Sequence, residues 1–193
     1  MGNALKRKKQ LKAKSRSKKV LANKLIAIRK ELVSRILTWD AEELKQEAQV
    51  VDALKDNLEV VKELKDVLDA TENGVGIAAT QIGKMYSVFI TRPDFPKDNK
   101  TYTFINPEIT NYSDKKITDQ EGCLSYPDYY CDVERSETIT IKYTDEKGNK
   151  KADEFNGWHA RVIQHEYDHL LGRCVIYDYW KSLKEKEGNV STL

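Results

Sequence analysis

Apolar residues recur at spacings of three and four between Ala41 and Asp69, at Leu44, Ala48, Val51, Leu54, Leu58, Val61, Leu64 and Leu68, with acids and lysines between them. That period gathers them on one side of an α-helix and predicts an amphipathic packing element. Asp40 stands where an N-cap belongs, and Glu43 three residues later completes a capping box. The stretch from Leu25 to Leu37 is a second, weaker helix candidate. Beyond it the pattern changes to short strand-like runs at Tyr86 to Thr91, Thr101 to Ile105, around Val133, Thr138 to Tyr143 and Lys151 to Phe155. Breaks fall at Asn106-Pro107, Pro127-Asp128 and Lys147-Gly148-Asn149, the last reading as a hairpin turn. The pattern predicts an α+β fold: N-terminal helices, then antiparallel strands packed around a central helix carrying His165 and His169.

Composition narrows the class. A chain of 193 residues, 39% hydrophobic and 33% charged, suits one globular domain with a proper core. No run approaches the about 18 apolar residues of a membrane span, and no charged start leads into an apolar block. A cytoplasmic protein without a membrane partner is expected. Organellar targeting stays open, although Lys6 stands where myristoylation favours Ser or Thr and the Lys-rich start matches a transit peptide poorly. Three cysteines, Cys123, Cys131 and Cys174, are too few and too odd in number for a disulfide framework. Cys131 and Cys174 are expected to be buried small residues.

The net charge of +2 conceals an asymmetry, because residues 1–30 carry twelve Lys or Arg and no acid. The remainder holds 21 basic against 31 acidic residues, a net −10. Residues 1–22 therefore read as a basic, flexible arm, residues 23–181 as a single globular domain and residues 182–193 as a polar tail. An anionic partner such as the ribosome and its RNA is one reading of the arm; a solubilising tail is the other.

Chemistry concentrates in Gln164-His165-Glu166-Tyr167-Asp168-His169. Histidines four apart share a helix face and can aim both imidazoles at one ion, although such pairs also occur as ordinary core or surface residues. Glu166 is then placed beside the ion, where a carboxylate can accept a proton from water. Cys123, in the aperiodic segment Glu121 to Pro127, makes a Cys-His-His set with them, and three protein ligands leave a tetrahedral ion one open position. Upstream, Asn73 to Gly83 is small, apolar and glycine-rich. Ala79 stands where a dinucleotide fingerprint needs its third glycine, and no Gly-Lys-Ser/Thr follows to make a phosphate loop. What remains is a backbone surface that a peptide can approach, with Gln81 as its polar contact.

The segments G-V-G-I-A-A-T-Q at 74–81, E-G-C-L-S at 121–125 and Q-H-E-Y-D-H at 164–169 resemble, in type, order and spacing, the three signature motifs of the peptide deformylases. The resemblance covers roughly residues 70–180; Thr80 stands where many members have proline. It implies that Cys123, His165 and His169 ligate one divalent metal, with Glu166 the general acid/base. Gln81 and the Leu124 backbone N–H would be the oxyanion donors. Fe²⁺ is the metal implied, with Zn²⁺, Ni²⁺ or Co²⁺ able to replace it; a thiolate-ligated ferrous site is expected to be oxygen-sensitive. The implied substrate is the formyl-methionyl end of a nascent peptide, and the products are formate and a free amine. Val162, three residues before His165, shares its inner helix face. With Val75, Gly76, Ile77 and Tyr126 it is a candidate lining for the methionine side chain, plain core being the alternative. A zinc peptidase would instead need a third ligand after His169, for which only Glu185 and Glu187 stand out.

Overall fold

The computed structural model describes the backbone of residues 2–51 and 54–188, and within these the side chains of all but residues 2–17, 54–57 and 186–188. Helix α1 (Gly2–Val33) and helix α2 (Leu54–Ala70) precede strands β1 (Gly76–Ala78), β2 (Val88–Thr91), β3 (Tyr102–Tyr112), β4 (Lys116–Cys123), β5 (Tyr126–Ser136), β6 (Thr138–Thr144) and β7 (Lys150–Asn156). Helices α3 (Gly157–Leu170) and α4 (Val175–Gly188) close the chain, and 3₁₀ turns occupy Glu42–Lys45 and Ala79–Ile82. Five strands pair in the order β1-β2-β3-β6-β7 and two in a separate β4-β5 hairpin, every pair antiparallel. This is the α+β class expected. Among the described residues no helix is long and apolar enough to cross a membrane.

Two apolar layers hold the sheet. Val60, Val61, Leu64, Val67 and Leu68 of α2 pack on Ile77, Val88 and Ile90, while Ala160, Ile163 and Leu170 of α3 pack on Phe89, Phe104, Ile139 and Ile141. Adjacent β2 residues thus face opposite layers, as the alternation of a strand requires. Phe89 and Phe104 stack at 4.7 Å between ring centroids, and fully buried aromatics of this size contribute on the order of 3–5 kcal/mol each. α2 covers one face of the sheet and α3, the helix bearing the two histidines, the other, where α3 also meets the β4-β5 hairpin through Arg161–Glu121 and Gln164–Ser136.

The expected helix from Ala41 to Asp69 is corrected: α2 begins at Leu54, and residues 52 and 53 lie outside the described residues. The chain before it is needed elsewhere. Ala48 N–H donates to Leu170 O at 2.8 Å, while Gln49 pairs in parallel with Tyr86 along the sheet edge. Ala48 and Val51 accordingly join different apolar layers rather than one helix face. Ala41, not Asp40, precedes the 3₁₀ turn, without a side-chain cap.

Two expected breaks are also corrected. β3 runs through Asn106-Pro107 by means of a bulge, in which Asn106 takes φ 49°. Its side chain satisfies the Val51 backbone, accepting from Val51 N–H at 3.0 Å and donating to Val51 O at 2.8 Å. The segment Glu121 to Pro127 belongs to the β4-β5 hairpin, with Asp128 at φ 68° inside β5. Lys147-Gly148-Asn149 does turn between β6 and β7, with Gly148 at φ 85°. The basic arm forms the first part of α1, its side chains to residue 17 lying outside the described residues, as do residues 189–193 of the polar tail.

Candidate metal centre

Along α3 the positions Arg161, His165 and His169 follow one another at intervals of four and share one face. Gly172 ends this helix region with φ 67° and sits so close to Lys45 that an added Cβ would lie 2.7 Å from its carbonyl. Cys123 arrives from the end of β4, immediately before the Leu124-Ser125 turn. Its Sγ lies 3.2 Å from His169 Nε2. The ligand atoms of Cys123, His165 and His169 all fall within 4.8 Å of one another. Donors about 2.0–2.3 Å from one tetrahedral ion stand about 3.3–3.6 Å apart, so the set fits a single cation after a small contraction.

The surroundings suit that ion. Burial, reinforced by the neighbouring His165, drives the His169 imidazole well below its ordinary pKa, which favours the neutral ring that binds metal. Contact with the Cys174 thiol, together with burial, pushes the Cys123 thiol up; a thiolate there requires a cation beside it. His165 Nδ1 is 2.9 Å from Glu121 Oε2, leaving Nε2 as the nitrogen free to ligate.

Glu121 also accepts from Arg135 Nε and Nη2 at 2.9 Å and from Arg161 Nη1 at 2.7 Å. Burial pushes its carboxyl up, but the hydrogen bonds from His165 and Arg135 outweigh burial and hold it down at about 2. Neither Glu121, which stands in the E-G-C-L-S segment, nor Arg161 carries an expected role in the sequence. The available clues were periodic: Glu121 is two residues from Cys123 on a strand, and Arg161 is four from His165 on a helix.

Glu166 points the other way. Burial, countered in part by the charge of His165, pushes its carboxyl up to about 7, and its Oε2 has no hydrogen-bond partner among the described residues. Gly76 makes room for it, because a Cβ there would overlap the carboxylate. Gln81 is held by the Ala78 N–H donating to its Oε1 at 2.8 Å, while its Nε2 donates to Ser125 Oγ at 3.1 Å and lies 3.8 Å from Cys123 Sγ. Thr80 ties this 3₁₀ turn to the metal helix, its hydroxyl donating to His169 O at 3.3 Å.

These groups meet on a cleft of about 1200 Å³. Val75, Gly76, Gln81, Leu124, Val162 and Glu166 line it. Ile77 and Tyr126 do not, which corrects their expected place around the methionine. Along β1 the alternation that turns Gly76 toward Glu166 sends Ile77 into the α2 layer, and Tyr126 stacks on Tyr129 at 4.5 Å beneath Trp39 and Tyr177. Cys131 is buried, whereas Cys174 is half-buried and packs against the apolar cluster that holds Cys123. The third histidine, His159, lies 3.5 Å from Asp94, with both side chains partly exposed. Glu185, the competing peptidase ligand, is exposed on α4, and the side chain of Glu187 lies outside the described residues.

A Cys-His-His donor set with a buried carboxyl beside it, opening on a cleft large enough for a peptide, defines a metal-dependent hydrolase. The model of the polypeptide deformylase family matches residues 33–186. Peptide deformylase 1 of Rickettsia conorii is 38% identical over 155 residues, covering 77% of this chain and 88% of the relative. Peptide deformylase 2 of Vibrio parahaemolyticus is 36% identical over 154 residues, covering 80% and 90%. The crystal structure of the peptide deformylase from Thermotoga maritima superposes with a TM-score of 0.68 at 32% identity, covering 73% of this chain and 93% of that one. The chain belongs to the polypeptide deformylase family, enzymes that hydrolyse the formyl group from nascent polypeptides.

Removing the Glu121 charge tests the outer support of the centre. Glu121→Gln is expected to weaken metal binding by about 10–100-fold in a chelator competition, as loss of a carboxylate behind a ligating histidine typically does. The same carboxyl sets a pH window for the metal-free protein. Because its folded value is depressed to about 2 from 4.5, its contribution to stability is present above pH 4.5 and is lost as pH falls toward 2. Urea unfolding across that range should show the loss in the parent and a smaller one in Glu121→Gln.

Proposed function

We propose that the chain removes the formyl group from the initiator formyl-methionine of nascent polypeptides at this centre, using one divalent cation held by Cys123, His165 and His169. Fe²⁺ is the ion assigned to the working enzyme, with Zn²⁺, Ni²⁺ or Co²⁺ able to take its place. The observation that carries the reading is that three donor atoms within 4.8 Å of one another stand beside a buried carboxyl at about 7, with Cys123, His165 and Glu166 on the wall of one cleft. When bound, the ion supplies Lewis acidity, lowering the pKa of water from 15.7 toward about 7 and polarising the formyl oxygen.

The chain's own groups do the rest. Glu166, poised near neutrality, accepts the proton of the attacking water and delivers it to the departing amine nitrogen, so one side chain serves both transfers. As negative charge develops on the formyl oxygen, Gln81 Nε2 and the Leu124 backbone N–H donate to it, each contributing on the order of 3 kcal/mol. Gln81 costs little to orient because Ala78 already fixes its amide. Val75, Gly76 and Val162 provide the apolar cleft wall on which the methionine side chain rests.

The basic arm supports a second attachment. Nine of the fourteen residues from Lys6 to Lys19 are Lys or Arg, and they offset a body of net −10 that ribosomal RNA would repel. In this reading the arm brings a cytoplasmic enzyme to the ribosome, residues 23–181 form the catalytic domain, and the last residues from 182 extend from it.

Glu166→Ala should keep its metal but lose about 10²–10⁴ of its turnover, read as metal content and formate release on one preparation. Gln81→Leu should lower kcat by about 10²–10³ with a smaller change in KM, because its donor acts most strongly in the transition state. Substantial turnover by Glu166→Ala contradicts the assignment. For the arm, deletion of residues 1–22 should reduce co-sedimentation with ribosomes at low salt while the difference fades as salt rises. Equal sedimentation of both forms across the salt series makes the arm a solvated appendage.

A further inference from the structure

The cleft is larger than a formyl-methionine requires: at about 1200 Å³ it exceeds the roughly 300–1,000 Å³ of an ordinary small-molecule site. Its far wall comes from α1, through Ile26, Lys30 and Val33. These positions follow at intervals of four and three and form one stripe of the helix. All but Val33, the first residue matched, lie before the family match, which spans residues 33–186. The wall is also anchored: Arg29 Nε donates to Ala70 O at 2.9 Å and its Nη2 to Thr71 O at 3.3 Å, fixing α1 to the end of α2.

The stripe is built unlike a solvated face. Ile26 is 54% and Val33 40% exposed, large apolar side chains open to the cleft. Between them Lys30 makes no ion pair among the described residues. The other basic groups on the cleft are committed, Arg29 to the two carbonyls and Arg161 to Glu121. Acidic groups on the cleft outside the metal centre are Glu72 and Asp128, both exposed.

We propose that the Ile26–Lys30–Val33 stripe of α1 is an extended substrate surface, on which the nascent chain lays its residues beyond the formyl-methionine, and that Lys30 favours acidic side chains there. The inference rests on the deformylase reading of the centre and deepens it from a site for one residue to a site for a segment. Its continuity with the reactive end defines the occupant, since a chain with its formyl group at Glu166 has nowhere to run within the cleft except along its walls. An extended chain advances about 3.3 Å per residue, so each residue beyond the methionine carries it further along the wall that the stripe shares with the reactive end. Ile26 and Val33 cover apolar stems, and the Lys30 ammonium meets a carboxylate at the rim, where a single pair is worth about 1.4- to 5-fold.

The test uses the full-length, metal-loaded enzyme and three substrates: formyl-Met-Ala, formyl-Met-Ala-Ser-Glu-Glu and formyl-Met-Ala-Ser-Lys-Lys. The parent should favour the Glu-Glu over the Lys-Lys peptide by about threefold in kcat/KM at low salt, mainly through KM, with the ratio shrinking as salt screens the pair. Lys30→Glu should invert the order. Both peptides are read on one preparation, so incomplete folding cancels from the ratio. Lys24→Glu makes the same charge change on α1 away from the cleft and should leave the ratio in place. Ile26→Ser should raise KM severalfold for both pentapeptides relative to formyl-Met-Ala. A ratio that Lys30→Glu leaves unchanged, or that Lys24→Glu moves equally, overturns the inference while hydrolysis of formyl-Met-Ala keeps the deformylase reading intact. Failure of the parent to release formate from any of the three overturns both.

Discussion

The buried carboxylate of Glu121 is the constraint on which the rest of the centre depends. It takes Arg135 from the neighbouring strand, Arg161 from the central helix and His165 one turn further along, all at 2.7–2.9 Å. Among the described residues the two-stranded hairpin shares no strand pairing with the five-stranded sheet, so these charged contacts, with the Gln164–Ser136 hydrogen bonds, tie the strand that carries Cys123 to the helix of the histidines. Desolvating such groups is costly, and the gain lies in placement: removing one partner from a buried cluster leaves another charge uncompensated, at about 3–5 kcal/mol. Arg135 extends the cluster to Asp168 and thus grips the helix at a second point.

Opposite preferences are then imposed on neighbouring residues of one helix. Burial opposes the charge of both rings, but the Glu121 carboxylate outweighs it at His165 and pushes that ring up, whereas His169, without a carboxylate partner among the described residues, is driven to neutrality. Glu166, between them in sequence, faces Gly76 with one oxygen unpartnered among the described residues, and burial pushes its carboxyl up to about 7. A group of that kind destabilises a fold, and in the proposed reaction substrate and water would supply its missing partner.

Much of this was legible in the sequence wherever function rests on local spacing. The i, i+4 histidines, the cysteine in a short polar segment and the Gln81 amide were found because a helix period or a motif puts them together without reference to distant chain. Ile77 and Tyr126 were misplaced because only strand register decides which side of β1 or β5 faces the cleft. The helix predicted from Ala41 started late because Ala48 and Gln49 are claimed by backbone partners at Leu170, Met85 and Ser87, which no local period reveals. Asn106-Pro107 read as a break, yet the Asn106 side chain bridges to Val51 and lets β3 continue. Glu121 was visible as a letter and silent as chemistry, since its three partners come from two distant elements, Arg135 from β5 and Arg161 and His165 from α3.

The central claim is that Cys123, brought by the hairpin, completes with His165 and His169 a single metal site. Metal content of the purified Cys123→Ala variant, measured by elemental analysis beside the parent after both are loaded with the same ion and desalted, tests it most directly. The account predicts one equivalent in the parent and little in the variant. A variant that keeps a full equivalent would place the third ligand elsewhere and contradict the account.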